Sequence, residues 1–116
     1  MIKVIVVDDE RFVRMGIVGE TDWASLGCEV VGEAENGLDA LELVHKKNPD
    51  LMICDIRMPK MNGLEMLKKL REEKNPVQVI FLTAYSEFSY AREALKLYAF
   101  DYLLKPFEVS ELYSAI

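Results

Sequence analysis

The chain has a single histidine, and that scarcity sets the first limit on its chemistry. His45 lies in Leu41-Glu42-Leu43-Val44-His45-Lys46-Lys47, a stretch that reads as helix, where an exposed side chain is expected. The chain therefore lacks a catalytic histidine of its own. Cysteine is nearly as rare. Cys28 and Cys54 have no metal-ligand spacing and each falls in a strand-like segment, so buried free thiols are expected rather than a disulfide. No apolar run approaches the roughly 18 residues needed to span a bilayer, and Met1-Ile2-Lys3-Val4 enters strand-like sequence without a signal-peptide pattern. A cytoplasmic protein with no membrane partner is expected. Basic charge is also short: 14 Lys and Arg against 20 Asp and Glu give a net charge of -6, with the basic residues scattered. Nucleic-acid binding relies on neutralising phosphates, so direct binding by this domain is disfavoured.

What is present suits one domain over residues 1–116. Hydrophobic residues make up 51% and charged residues 29%. A chain of this size buries roughly two-thirds of its unfolded surface, enough for a core without staples. Apolar runs alternate with amphipathic stretches throughout. Strands are expected near residues 3–7, 29–34, 51–55, 77–83 and 101–104, and helices near 10–18, 37–47, 63–73 and 87–98, with a fifth from Val109. Five βα repeats predict an α/β fold, a parallel sheet covered on both faces by helices. Asn36 and Asn62 suit helix starts, Asn62 with Glu65 three residues on. Asn48-Pro49 and Asn75-Pro76 suit helix stops.

Two places are irregular. Residues 19–27 make a long connection, in which Trp23 reads as a packed lid over a core edge. The last helix, Ser110 to Ile116, stops without a capping Gly or a following Pro, as expected of a chain cut from a longer protein, or equally of a fraying terminal helix.

The chemistry gathers where apolar runs end. Leu51-Met52-Ile53-Cys54 ends on Asp55, Val4-Ile5-Val6-Val7 on Asp8-Asp9, Val79-Ile80-Phe81-Leu82 on Thr83, and Tyr102-Leu103-Leu104 on Lys105-Pro106. A strand buried on both faces holds a charge only where it emerges, and open α/β sheets bind ligands beyond the carboxyl ends of their strands. An Asp-Asp pair is by itself more often a turn or helix start, a strand-ending Thr is usually structural, and Lys-Pro usually marks a turn. Their coincidence at four strand ends favours function. Two carboxylates about 4 Å apart repel by roughly 4 kcal/mol at an effective dielectric near 20, so such a cluster takes up a proton or binds a cation. Oxygen ligands with room for water favour Mg²⁺, with Mn²⁺ as a substitute. Asp55 then suits an anionic nucleophile that accepts a phosphoryl group. Lys105 and Thr83 suit the phosphoryl oxygens.

Taken together, Val7-Asp8-Asp9-Glu10, Asp55-Ile56-Arg57-Met58-Pro59 with Asn62-Gly63, Leu82-Thr83-Ala84 and Asp101-Tyr102-Leu103-Leu104-Lys105-Pro106 resemble the receiver domain of two-component response regulators across essentially the whole chain. The resemblance implies a flavodoxin-like doubly wound (βα)5 three-layer sandwich with five parallel strands in the order 2-1-3-4-5. It implies that Asp55 is the phosphoacceptor, that Asp9 and Asp55 ligate Mg²⁺ with Asp8 acting mainly through water, and that the Arg57 carbonyl completes the protein's share. Thr83 and Tyr102 would form the switch pair, the Lys105-Pro106 bond would be cis, and the surface of the fourth helix, fifth strand and fifth helix would respond. A sensor histidine kinase would be the donor. The Trp23 connection, Gly32-Glu33-Ala34-Glu35-Asn36-Gly37 and Ala84-Tyr85-Ser86-Glu87-Phe88-Ser89-Tyr90-Ala91 resemble regulators with an AraC-type DNA-binding output domain, a transcription-regulating partner within the same chain. Tyr98-Ala99-Phe100 departs from the Gly-Ala that receivers often place before the fifth strand. Tyr90 and Leu97 are candidate contacts for a homodimer, or simply two exposed apolar residues.

Two other functions compete. A phosphorylation-independent interaction module would keep the fold without needing the acidic cluster, Thr83 or Lys105. A phosphohydrolase of the haloacid-dehalogenase type would place a second Asp two residues after the nucleophile, where this chain has Arg57.

Overall fold

The computed structural model describes residues 1–84 and 101–105, the backbone alone being described for 83–84 and 101–105. The elements run β1 (Ile2–Val7), α1 (Arg11–Glu20), a short 3₁₀ turn (Ala24–Leu26), β2 (Cys28–Ala34), α2 (Gly37–Lys47), β3 (Leu51–Asp55), α3 (Gly63–Glu72), β4 (Gln78–Ala84) and β5 (Asp101–Lys105). All neighbouring pairs are parallel, in the order β2-β1-β3-β4-β5. This is the expected flavodoxin-like order. The helices expected at 87–98 and from Val109, the Lys105-Pro106 bond, and Tyr90, Leu97 and Tyr98 lie outside the described residues.

The apolar runs become strands because each has two partners to bury against. Successive side chains of a strand point to opposite faces. Ile5, Val7, Met52, Cys54, Val79 and Phe81 thus enter one core layer with α2 and α3 residues. Val4, Val6, Leu51, Ile53, Ile80 and Leu82 enter a second, with Ile17 of α1 and Trp23. Trp23 is 9% exposed and its Nε1 donates to the Val18 carbonyl at 3.1 Å, so it is the packed lid that the connection suggested. Cys28 and Cys54 are both free and buried, but they belong to opposite layers of the sheet. That separation explains why they do not pair, and burial pushes the Cys28 thiol above its ordinary pKa.

Helix ends follow local chemistry. The Asn36 side chain accepts from the Asp39 amide at 2.9 Å. Asn62 and Glu65 form a reciprocal capping box, with distances of 2.9 and 3.2 Å. Asn48 ends α2 in the left-handed region at φ 48°, its amide bonded to the Val44 carbonyl. Several boundaries differ from expectation by one or two residues. α1 runs on to Glu20, because Gly19 is accommodated in its last turn. β2 begins at Cys28, and β4 extends to Ala84 because pairing with β5 continues that far. β2 also bulges: Val4 pairs with Val30 but Ile5 with Gly32, one extra residue on the edge strand. Gly32 lies under Leu43, whose Cδ1 would be 2.9 Å from a Cβ built there.

His45 is exposed, as expected, at 52%, and its Nε2 lies 2.7 Å from Glu73 Oε1, linking α2 to the end of α3. This pair is far along both helices from the strand ends that concern function.

Asn62→Ala removes the side-chain half of the capping box, the bond accepted from the Glu65 amide, and leaves the Asn62 amide to donate to Glu65. It is expected to lower stability by about 1 kcal/mol, read as a reduced urea midpoint with an unchanged slope.

Candidate functional site

The site is built by register. Val7 pairs with Cys54, so Asp8 and Asp55 leave the sheet side by side on adjacent strands, about 4.8 Å apart along the hydrogen-bonding direction. Asp55 pairs with Leu82. Thr83, one residue on, pairs with Leu104, and Ala84 pairs with Lys105. Asp8, Asp55, Thr83 and Lys105 therefore stand along one sheet edge, within two residues of a common row. Tyr102 pairs with Phe81, further inside β5.

Burial divides the acidic residues. Asp8 is fully buried and Asp55 is 6% exposed, whereas Asp9, Glu10 and Arg57 are exposed. The Asp8 amide continues the ladder to the Ala34 carbonyl at 3.1 Å. Asp8 Oδ1 accepts from the Glu10 amide at 2.9 Å, which folds the chain over at the start of α1. The result is compact: one carboxylate oxygen from each of Asp8, Asp9 and Glu10 lies within 4.8 Å of the others. The resemblance pointed to Asp8, Asp9, Asp55 and the Arg57 carbonyl. The group found here contains Glu10 and not Asp55, which stands on the neighbouring strand end. Glu10 was missed because an acid at a helix start reads as favourable charge against the helix dipole. The run of three consecutive acids was the available signal. Carboxylate oxygens, two sets of them open to solvent, form a hard, water-accessible donor set that fits Mg²⁺.

The loop after β3 is held from two sides. The Gly63 amide donates to the Ile56 carbonyl at 2.7 Å, and the Gly37 amide donates to the Met61 carbonyl at 2.9 Å. Both glycines are required by contact. A Cβ on Gly63 would lie 2.6 Å from the Asp55 carbonyl oxygen and 2.7 Å from Phe81 Cε1, and one on Gly37 would lie 2.5 Å from the Met61 carbonyl oxygen. Lys60, between them, occupies the left-handed region at φ 66°, a strained conformation for a residue with a Cβ. The N-termini of α2 and α3 thus clamp the segment that carries Arg57.

A family model described as "Response regulator receiver domain" matches residues 4–116. The chain belongs to the response regulator receiver family. This receiver is 40% identical over 116 residues to the "Uncharacterized transcriptional regulatory protein YesN" of Bacillus subtilis, covering 100% of this chain and 32% of that protein. It is 44% identical to the transcriptional regulatory protein BtsR of Salmonella typhimurium, covering 97% of this chain and 45% of that protein. The receiver thus spans less than half the length of these relatives. Among solved structures, the receiver domain of AraT, a response regulator from Geobacillus stearothermophilus, superposes with a TM-score of 0.89 at 42% identity, covering 98% of this chain and 92% of that one. A two-component transcriptional regulator AraC from Clostridium phytofermentans superposes at 0.84 with 29% identity, covering 99% and 88%. Among the described residues, no helix of the receiver is long and apolar enough to cross a membrane.

Gly63→Ala is expected to destabilise the receiver by about 1–3 kcal/mol through overpacking against Asp55 and Phe81. Gly16→Ala, in α1 with nothing within 4 Å of the new Cβ, is expected to stabilise it by roughly 0.5–1 kcal/mol. Chemical unfolding of the two variants beside the parent checks the contrast in sign.

Proposed function

We propose that this receiver accepts a phosphoryl group on Asp55 from the phosphohistidine of a partner sensor histidine kinase. The observation that carries the reading is the buried Asp55 at the end of a strand buried on both faces, one strand away from the Asp8, Asp9 and Glu10 group. Mg²⁺ would be held by Asp9 and Asp55, by Asp8 mainly through water, and by the Arg57 carbonyl, with Glu10 adding negative potential. Bound there, it would neutralise phosphoryl oxygens. A carboxylate oxygen of Asp55 attacks phosphorus, the phosphorus–nitrogen bond of the donor breaks, and the leaving imidazole takes up a proton. Lys105 and Thr83 serve the phosphoryl oxygens from the ends of β5 and β4.

Asp55 is consumed and regenerated, so the receiver assists its own phosphorylation and dephosphorylation and is not an enzyme acting on an external substrate. Thr83 and Tyr102, with register partners on the adjoining strands β5 and β4, form the switch pair that conveys the modification to the surface including β5. The chain is read as the amino-terminal part of a longer cytoplasmic regulator that works as a transcription factor. Its output domain is of AraC type, on the strength of the Trp23 connection and the segments 32–37 and 84–91. Phosphorylation-dependent homodimerisation belongs to the same reading. DNA contact is left to the output domain, since the receiver carries net negative charge.

The test is incubation with Mg²⁺ and a small acyl-phosphate donor, followed by intact mass. One acid-stable, base-labile phosphoryl adduct is expected, absent from Asp55→Asn. An adduct that survives Asp55→Asn refutes the acceptor assignment, and none under any condition favours the phosphorylation-independent module. Separately, Asp9→Asn is expected to weaken Mg²⁺ binding by more than about tenfold, since a unit charge at about 4 Å contributes on the order of 4 kcal/mol at an effective dielectric near 20. Calorimetric titration reads this, and unchanged affinity places the metal elsewhere.

A further inference from the structure

Arg14 lies one turn into α1, its amide bonded to the Glu10 carbonyl at 3.1 Å. Its side chain is only 15% exposed, low for an arginine on a surface helix. The cause lies at the end of β1. The Asp8 amide bonds to the Ala34 carbonyl, but β2 ends there and the chain turns away to cap α2 through Asn36. The Asp8 carbonyl, on a residue with no exposed surface, needs a donor from outside the sheet. Arg14 Nη1 supplies one at 2.6 Å, a short charge-assisted bond. Arg14 Nε lies 3.4 Å from Glu33 Oε1, an ion pair without the alignment of a hydrogen bond. The guanidinium therefore spans the ends of β1 and β2, directly behind the turn that carries Asp8, Asp9 and Glu10.

A cation in this place has two opposed effects on a metal ion. Its charge repels the ion, while its hydrogen bond fixes the backbone from which the carboxylates project. We propose that Arg14 is a positioning residue for the metal-binding turn, acting through the Asp8 carbonyl and touching neither ion nor phosphoryl group. Beyond its ladder bond to Ala34, Asp8 is then held by the Glu10 amide on its carboxylate and by Arg14 on its carbonyl. Loss of a group that orients a metal ligand typically costs about ten- to a hundredfold in metal affinity. The inference rests on the Mg²⁺ site proposed above.

The experiment titrates Mg²⁺ calorimetrically into the parent, Asp9→Asn, Arg14→Met and Arg14→Lys. Exchange of the Glu10 amide proton is followed by NMR without metal. Arg14→Met is expected to bind Mg²⁺ on the order of ten- to a hundredfold more weakly and to exchange the Glu10 amide faster. Arg14→Lys is expected to lose less, because one ammonium reaches the Asp8 carbonyl without also spanning to Glu33. Loss of positive charge alone would tighten cation binding, so the sign separates positioning from electrostatics. Arg14→Met that binds as tightly as the parent, or more tightly, overturns the role. Where Arg14→Met does not fold, Arg14→Gln, too short to reach the Asp8 carbonyl, overturns the role if it binds Mg²⁺ as tightly as the parent, and supports it if it binds more weakly. A parent that fails to bind Mg²⁺, or binds it equally in Asp9→Asn, overturns the site itself and the role of Arg14 with it.

Discussion

Parallel pairing of β1 with β3, in the register Val7 to Cys54, is the constraint on which the rest of this receiver depends. Both strands are apolar on both faces, because α1 and Trp23 cover one side of the sheet and α2 and α3 the other. A carboxylate inside either strand would face an uncompensated desolvation penalty. The first position that tolerates one is the strand end, and the register brings those ends together as Asp8 and Asp55. Folding thus holds two carboxyl groups close together, the condition under which such a pair takes up a proton or a cation.

The surrounding contacts keep that edge in place. α3 can approach the Asp55 carbonyl only because Gly63 has no side chain, and α2 reaches the Met61 carbonyl only because Gly37 has none. Arg14 closes the remaining gap, where β1 leaves its ladder with β2. Three helices are thereby coupled to one turn and one loop, so a change at the acidic edge is felt by helices on both faces. Such close packing transmits small displacements instead of absorbing them.

Much of this was legible in the sequence, for a specific reason. A doubly buried strand must be an unbroken apolar run, so Leu51 to Cys54 followed by Asp55 announces both the strand and its functional end. Asn62 followed by Glu65 announces the α3 capping box. Glu10 and Arg14 were less legible. Glu10 looks like ordinary helix-start charge until the Asp8 turn folds its carboxylate back toward Asp9. Arg14 looks like a solvent-facing helical residue until the Asp8 carbonyl loses its place in the ladder. The bulge in β2 left no mark beyond Gly32, whose packing depends on Leu43 of α2, eleven residues further along the chain. Thr83, Lys105 and Tyr102 are placed by backbone register alone, so their roles rest on the family resemblance and on proximity along the edge.

The central claim is that strand register assembles one phosphoryl-accepting site at the carboxyl edge of the sheet. The most direct test is amide NMR of the receiver titrated with Mg²⁺ and then with beryllofluoride, a phosphoryl mimic. The account predicts that Mg²⁺ first shifts amides at residues 8–10 and 55–57. Beryllofluoride then extends the response to Thr83, Ala84 and Lys105 on the neighbouring strand ends. Shifts centred away from these strand ends, or a beryllofluoride response that leaves residues 55–57 unmoved, would contradict it.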